Sequence, residues 1–341
     1  MWKNWTDRLH LLSTLTPAKI CNWLYLVGSY WLSRQLGKPM HKGLPAAISI
    51  EPTTACNLRC PECPSGLRSF TRPTGMLQTA LFKKIIDELH ERLIWLTFYF
   101  QGEPYLHPQF TELVRYAHQR GIYTVTSTNA HFLSDENARK TVESGLSRLI
   151  ISIDGTTQET YQAYRVGGKL AKVLEGTQRL LAWKKQLNSA TPHVVFQFLV
   201  VRPNEHQIAA IKALAKEIGV DELQLKTAQI YDYRNGSPLI PTQSRYSRYA
   251  LQTDGTYRIK NPLKNACWKM WHSCVITWDG KVVPCCFDKD ARHVLGNVES
   301  VSFFQVWYSK TYQAFRQRLL QARKEIDICQ NCTEGMAIFE D

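Results

Sequence analysis

The sequence predicts an α/β protein in which a parallel sheet covered by helices is followed by a smaller α+β unit built on a β-hairpin. Three observations carry this reading. Between residues 46 and 228, six short runs rich in β-branched or aromatic residues alternate with amphipathic stretches of helical period, the rhythm of strands joined by helical crossovers. Those runs are almost continuously apolar, as strands are when helices cover them. The rhythm then breaks, and after Cys267 two short apolar runs meet at Asp279-Gly280, a strong hairpin signal. The chain of 341 residues suffices for one large or two modest domains, and 44% hydrophobic with 21% charged residues is ordinary for a globular protein.

The first segment, 1–45, centres on residues 20–36. Ile20, Trp23, Leu24, Val27 and Trp31 fall at helical spacing, and Leu26, Tyr30 and Leu32 widen the stripe. Its uninterrupted apolar content is too short to span a bilayer. Lys3, Arg8, Lys19, Arg34, Lys38 and Lys42 surround it against Asp7 alone. Two readings follow: a helix lying on an anionic membrane with Trp and Tyr at headgroup level, or one packed over the mouth of a barrel or against a protein partner.

The second segment, 46–228, holds the six strand runs at 46–50, 95–100, 122–126, 149–153, 194–201 and 222–225. Helices are expected between them at 79–93, where Phe82, Ile85, Ile86 and Leu89 keep the 3.6 period, and at 109–119, 134–144, 169–187 and 205–218. Residues 229–266, rich in Tyr, Arg, Pro, Asn and Gly, read as a linker or substrate-covering loop. The last segment, 267–341, adds to the hairpin a helix with Phe303, Phe304, Val306 and Trp307 and another through Phe315, Leu319 and Leu320.

Forty-two Lys and Arg against 29 Asp and Glu give a net charge of +13, which favours anionic partners: a phosphorylated or nucleotide-linked small molecule, an acidic peptide or an anionic membrane. No Lys/Arg-rich stretch is interleaved with aromatics, so nucleic acid is not expected. Ten cysteines are too sparse for a disulfide scaffold, and the amino terminus lacks the pattern of an export signal. A reducing cytosol is the expected compartment, where clustered Cys means metal or catalysis.

Such a cluster follows the first strand run. In "CNLRCPEC", Cys56, Cys60 and Cys63 can hold three irons of a cubane and leave the fourth without a protein ligand, open to a small molecule. A structural zinc site needs four N or S ligands; burial as small hydrophobes is the remaining reading. A second pattern sets Cys267 and Cys285, with Gly280 between them, ahead of Cys329-Gln330-Asn331-Cys332.

The C-x3-C-x2-C spacing after a first strand resembles the signature of the radical S-adenosylmethionine (SAM) enzymes. That resemblance implies a partial (β/α)6 TIM-like barrel whose open iron is chelated by the amino and carboxylate groups of SAM. It further implies reductive cleavage of SAM to methionine and a 5′-deoxyadenosyl radical, which abstracts a substrate hydrogen. Gln101-Gly102-Glu103-Pro104 stands where the family has Gly-Gly-Glu, so Gly102 and Glu103 are expected at the SAM amino group. Asn129, in Ser127-Thr128-Asn129, and Ser152 with Asp154 end the third and fourth strands, positions that usually face the ribose or methionine part. Arg165 matches an Arg that often pairs with the SAM carboxylate. One position departs: the family's aromatic residue before the third Cys is Glu62 here, so adenine packing is expected from the fifth strand, from Leu199 or Val201.

The second pattern resembles the SPASM or "twitch" extension, which implies one auxiliary 4Fe-4S cluster ligated by Cys267, Cys285, Cys329 and Cys332, with Cys286 as the alternative to Cys285 and a structural zinc as the competing metal. Cys21, Cys274 and Cys286 read as bystanders. The resemblance covers residues 46–335. It implies an oxidoreductase-like enzyme that passes the substrate's electron to the auxiliary cluster, fed by a flavodoxin- or ferredoxin-type reductant, with no catalytic side chain assigned beyond cluster and SAM. The favoured substrate is an anionic sugar- or lipid-linked molecule, met in the cytoplasm or at a membrane surface. The alternatives are a peptide-modifying enzyme and a non-enzymatic iron-sulfur carrier or zinc-binding protein.

Overall fold

All six strand runs form strands in the computed structural model, which describes residues 5–334: β1 (Ala47–Ile50), β2 (Trp95–Thr97), β3 (Tyr123–Thr128), β4 (Arg148–Ser152), β5 (His193–Val200) and β6 (Glu222–Thr227). Their side chains alternate between two layers. Ile48, Ile50, Leu96, Phe98, Leu149, Ile151, Phe196 and Phe198 are buried in the main core, whereas Tyr123, Val125, Ile150 and Val195 form a separate cluster on the other face. The six strands run parallel in sequence order, as right-handed crossovers with outer helices demand.

The helices are α1 (Trp5–Ser13), α2 (Pro17–Leu36), α3 (Pro64–Leu67), α4 (Thr79–Leu89), α5 (Phe110–His118), α6 (Asp135–Glu143), α7 (Gln158–Tyr164), α8 (Leu170–Gln186), α9 (Ile208–Ile218), α10 (Lys269–His272), α11 (Phe303–Trp307) and α12 (Lys310–Ala322). Helix α4 buries Phe82, Ile85, Ile86 and Leu89, the row its period predicts. Side chains of Ser134 and Thr157 cap α6 and α7, satisfying amides that the first turn leaves free.

Two features of the strands differ from expectation. The carboxy-terminal hairpin does not stand apart: β9 (Ser273–Ile276) runs parallel beside β1, with β10 (Lys281–Val283) and β11 (Gly296–Asn297) beyond it, so one nine-stranded sheet runs through both units. The 229–266 segment also carries its own hairpin, β7 (Tyr249–Leu251) and β8 (Tyr257–Ile259). Its Asp254-Gly255 turn, with Gly255 at φ +81°, is the signal that foretells it.

Helices α1 and α2 pack against the sheet domain, and a buried charge network fixes α1. Asp7 accepts from the Tyr123 hydroxyl and pairs with Arg148 at 2.5 Å, while Arg148 also reaches Glu222 at 2.5 Å and Glu222 meets His193 at 3.0 Å. Helix α2 is turned inside out. Its buried residues are Lys19, Asn22, Leu26, Ser29 and Ser33, and Leu24, Tyr25 and Trp31 are each at least 60% exposed. Asn22 explains the orientation: its amide bonds both the N–H and the C=O of Leu44. Trp23 and Tyr30 pack on Trp268, their ring centroids 5.2 Å from it. Lys3 and the outermost ends of the first and last segments lie outside the described residues.

Candidate cofactor sites

The loop leaving β1 carries the three cysteines. Cys63 N–H donates to Cys60 O and Cys63 caps α3, so the triad is wound around one short turn. Gly102, at φ +76°, lies so close that a Cβ there would sit 2.2 Å from Thr53 O; only glycine allows this approach. The neighbouring Glu103 N–H donates to Ala55 O at 2.7 Å, which seats the strand-2 loop on the cysteine loop.

Cys56, Cys60 and Cys63 line a cavity of about 300 Å³ together with Gln101, Gly102, Glu103, Asn129, Ser152 and Arg165. The structure thus gathers every expected residue of this site except Asp154, which is wholly buried behind the wall. Asp154 accepts from Leu199 N–H at 2.7 Å and from Arg165 Nε at 2.5 Å. Arg165 keeps its other edge free to reach Cys60 Sγ at 3.8 Å. Glu103 accepts from Thr128 Oγ1 and from the amides of Asn129 and Tyr105, and burial pushes its carboxyl up to about 7. Asn129 Nδ2 donates to Asn57 Oδ1 at 2.8 Å and stands 4.0 Å from Cys56 Sγ.

Leu199 lines the cavity, whereas Val201 is fully buried in the adjoining cluster. Glu62 has a task that sequence reasoning missed. Its carboxylate accepts from Tyr231 N–H at 2.9 Å and so ties the 229–266 segment to the cysteine loop. Lys289, also missed, lines this cavity, its ammonium 4.8 Å from the Tyr231 ring.

Cys267, Cys285, Cys329 and Cys332 surround a second, small cavity, although they come from three separate stretches of chain. Arg323 donates to Cys332 Sγ at 3.4 Å and to Ala266 O at 2.7 Å, and Glu334 N–H donates to Cys332 Sγ at 3.3 Å. Cys286 does not line this cavity; it is exposed, 3.9 Å from Lys269 Nζ. Cys274 is buried in the main core and Cys21 is exposed on α2.

Burial raises the Cys56 thiol to about 11 and Cys329 to about 12, and moves Cys60, Cys267, Cys285 and Cys332 in the same direction. Free thiols are therefore favoured until a metal displaces their protons. Among the described residues no group of three or more His, Cys, Asp or Glu is arranged around a single metal ion. A cubane does not ask for that, because each thiolate takes its own iron. Three sulfurs beside a polar cavity and four sulfurs enclosed by N–H donors suit one open and one closed cluster.

Residues 50–220 match the radical SAM superfamily and residues 267–333 match an iron-sulfur cluster-binding domain, SPASM. Among characterised relatives, the tungsten-containing aldehyde ferredoxin oxidoreductase cofactor-modifying protein of Pyrococcus furiosus is 26% identical, over 79% of this chain and 82% of its own. The mycofactocin maturase MftC of Mycobacterium ulcerans is 29% identical over 84% and 80%. The PqqA peptide cyclase of Rhodopseudomonas palustris is 31% identical over 59% and 52%. In fold the chain is similar to Streptococcus suis SuiB bound to S-adenosylmethionine, with TM-score 0.64 and 12% identity over 86% of this chain and 73% of that one. It is also similar to BtrN in complex with AdoMet and 2-DOIA, with TM-score 0.53 and 19% identity over 89% and 98%. With the triad on the loop after the first strand and the four-cysteine set on the stretches that flank the carboxy-terminal hairpin, the chain is an enzyme of the radical SAM superfamily with a SPASM domain, using SAM and iron-sulfur clusters.

Proposed function

We propose that this enzyme modifies a peptide or protein substrate. The sugar- or lipid-linked substrate favoured by composition gives way to this reading because of one observation: two of the relatives, aligned over 59% and 84% of this chain, are named as a peptide cyclase and a maturase. A groove of about 530 Å³ beside the cysteine triad supports it. The groove runs between the 229–266 segment and the auxiliary loops, is lined by Tyr231, Tyr233, Arg234 and Asn331, and shares Lys289 with the SAM cavity.

When bound, SAM and its cluster supply hydrogen-atom abstraction, and the auxiliary cluster supplies an acceptor for the electron left on the substrate. This chain's own residues orient the partners. Arg165, held by Asp154, offers its free edge to the SAM carboxylate; Asp154 acts through Arg165 rather than touching SAM. Glu103, already accepting three hydrogen bonds, holds the Asn129 turn and the Gly102 backbone where the SAM amino group is expected. Cys267, Cys285, Cys329 and Cys332 carry the auxiliary cluster.

The test is anaerobic reconstitution, with about eight irons expected from two cubanes, followed by SAM, reductant and short peptides encoded beside the gene. A mass change in one peptide with release of 5′-deoxyadenosine supports the reading. Turnover of sugar phosphates with no peptide modified overturns it.

A second observation concerns location. No helix of the described residues is long and apolar enough to cross a membrane. Leu24, Tyr25 and Trp31 of α2 point outward, and Leu9 and Leu12 of α1 are also exposed, in a stretch that carries Arg8, Arg34, Lys38 and Lys42. We read this face as a peripheral contact with anionic membrane. Flotation with phosphatidylserine vesicles, lost in Leu24→Glu/Trp31→Glu, is the expected result; equal flotation of the variant discards it.

A further inference from the structure

Near the SAM cavity stand three cations that the cofactor does not account for. Leu199 of β5 lines the SAM cavity, and its register partner on β6 is Lys226. In a parallel ladder partners share a face, so Lys226 stands on the same inner surface one strand further. The next residue, Thr227, fixes Arg248: its carbonyl and hydroxyl oxygens accept from Arg248 Nε at 3.2 and 2.9 Å. That leaves Arg248 Nη1 buried without any hydrogen-bond partner. Lys289 completes the set from the auxiliary side, on the rim that the SAM cavity shares with the outer groove.

Glu222 bonds Arg148 and His193, and Glu62 the Tyr231 amide, while each also acts electrostatically on one of the cations, Glu222 on Lys226 and Glu62 on Lys289. Among the described residues none of the three cations has an ion-pair partner. Arg248 lies close enough to act electrostatically on both lysines, and burial pulls Arg248 and Lys289 below their ordinary values. Lys226 stays open to solvent near the end of β6, whereas Arg248 and Lys289 are half-buried, and cations set beside one another draw a counter-charge.

We infer that Lys226, Arg248 and Lys289 form an anion-binding site for the substrate, taking a carboxylate or phosphate group beside the SAM cavity. The inference rests on the reading that this cavity and groove receive the substrate. A peptide substrate would then carry an Asp or Glu close to the modified residue, and the guanidinium of Arg248 would be its anchor.

The reconstituted holoenzyme with SAM is titrated calorimetrically with inorganic pyrophosphate and with acetyl-triglutamate. One of the two is expected to bind, its affinity falling with salt, and about tenfold or more is expected to be lost in Lys226→Met and in Arg248→Gln, the range of one charge-assisted contact. Iron content is measured for each variant. Where it falls, Lys226→Arg and Arg248→Lys, which keep the charge, are expected to retain binding. Preference for triglutamate assigns an acidic peptide, preference for pyrophosphate a phosphorylated substrate. Binding of neither probe, or undiminished binding by the charge-removing variants, overturns the site. Probe binding without modification of any peptide would refute the peptide reading and leave this site standing.

Discussion

Replacing Asp7 with Asn tests whether α1 is part of the barrel or a detachable anchor. Asp7 and Arg148 pair at 2.5 Å with side chains 2% and 4% exposed, so removal of the negative charge leaves a buried guanidinium short of one partner. Breaking a buried pair from one side costs about 3–5 kcal/mol. Glu222 still holds the other edge of Arg148, and Asn can accept from Tyr123, which argues for the lower end, about 3 kcal/mol. Unfolding entropy of about 2.1 cal/mol/K per residue, over 341 residues, gives about 0.7 kcal/mol/K, hence a fall in Tm of about 4 °C. Differential scanning calorimetry on the metal-free protein is the assay, with Leu24→Glu, at a site 62% exposed, as a control expected to stay within about 1 °C. An unchanged Tm in the Asp7 variant would show that α1 does not rest on its charge network. The expected loss also means that truncating residues 1–40 damages the fold, so membrane contact is better tested by point substitution.

Cys285→Ser is expected to lower reconstituted iron from about eight to about four per chain, while Cys286→Ser keeps it; the reverse pattern would transfer the ligand role to Cys286. Gly102→Ala places a Cβ against Thr53 O at a left-handed φ. It is expected to displace the cysteine loop and cut iron at the first site, read by the signal of the SAM-responsive cluster in electron paramagnetic resonance. The Glu103 carboxyl, held up to about 7 by burial, keeps a proton in the folded chain that the unfolded chain has already lost. Its contribution to stability therefore falls as pH rises from its ordinary value of 4.5 towards 7. The metal-free protein should lose about 1.4 kcal/mol per pH unit in that window through this group, measured by urea midpoints. Glu103→Gln should flatten that slope by one proton, and an identical slope in both proteins would exclude Glu103 as its source.

Strands β1 to β5 were legible because each is short, largely apolar and bounded, β6 (ELQLKT) because its Leu223 and Leu225 alternate after a helix, and the cysteine triad because its members lie within one loop, where spacing is geometry. The partner of the carboxy-terminal hairpin was not legible: "SCVITWDGKVVP" carries the same local signal whether it pairs with itself alone or, as here, also lies beside β1. Glu62 looked like a defect in a motif because its use, a hydrogen bond to Tyr231, lies far along the chain. The same reasoning explains the three cations near the SAM cavity, which come from β6, the edge of β7 and a loop after β10, each an ordinary basic residue in its own neighbourhood.

Helix α2 shows the limit most clearly. A hydrophobic period establishes that a helix has two faces, and the usual assignment buries the apolar one. Here the return segment 37–46 must pass under the helix, and its backbone groups need partners there. Asn22 and Ser33 supply them, bonding Leu44 and Met40, which leaves the apolar row facing out. The backbone demand of a short connection outweighs side-chain burial only if that outward row finds cover of its own. Monomeric proteins seldom leave so many large apolar side chains uncovered on one face, and this makes the orientation of α2 a statement about the protein's surroundings as well as its fold.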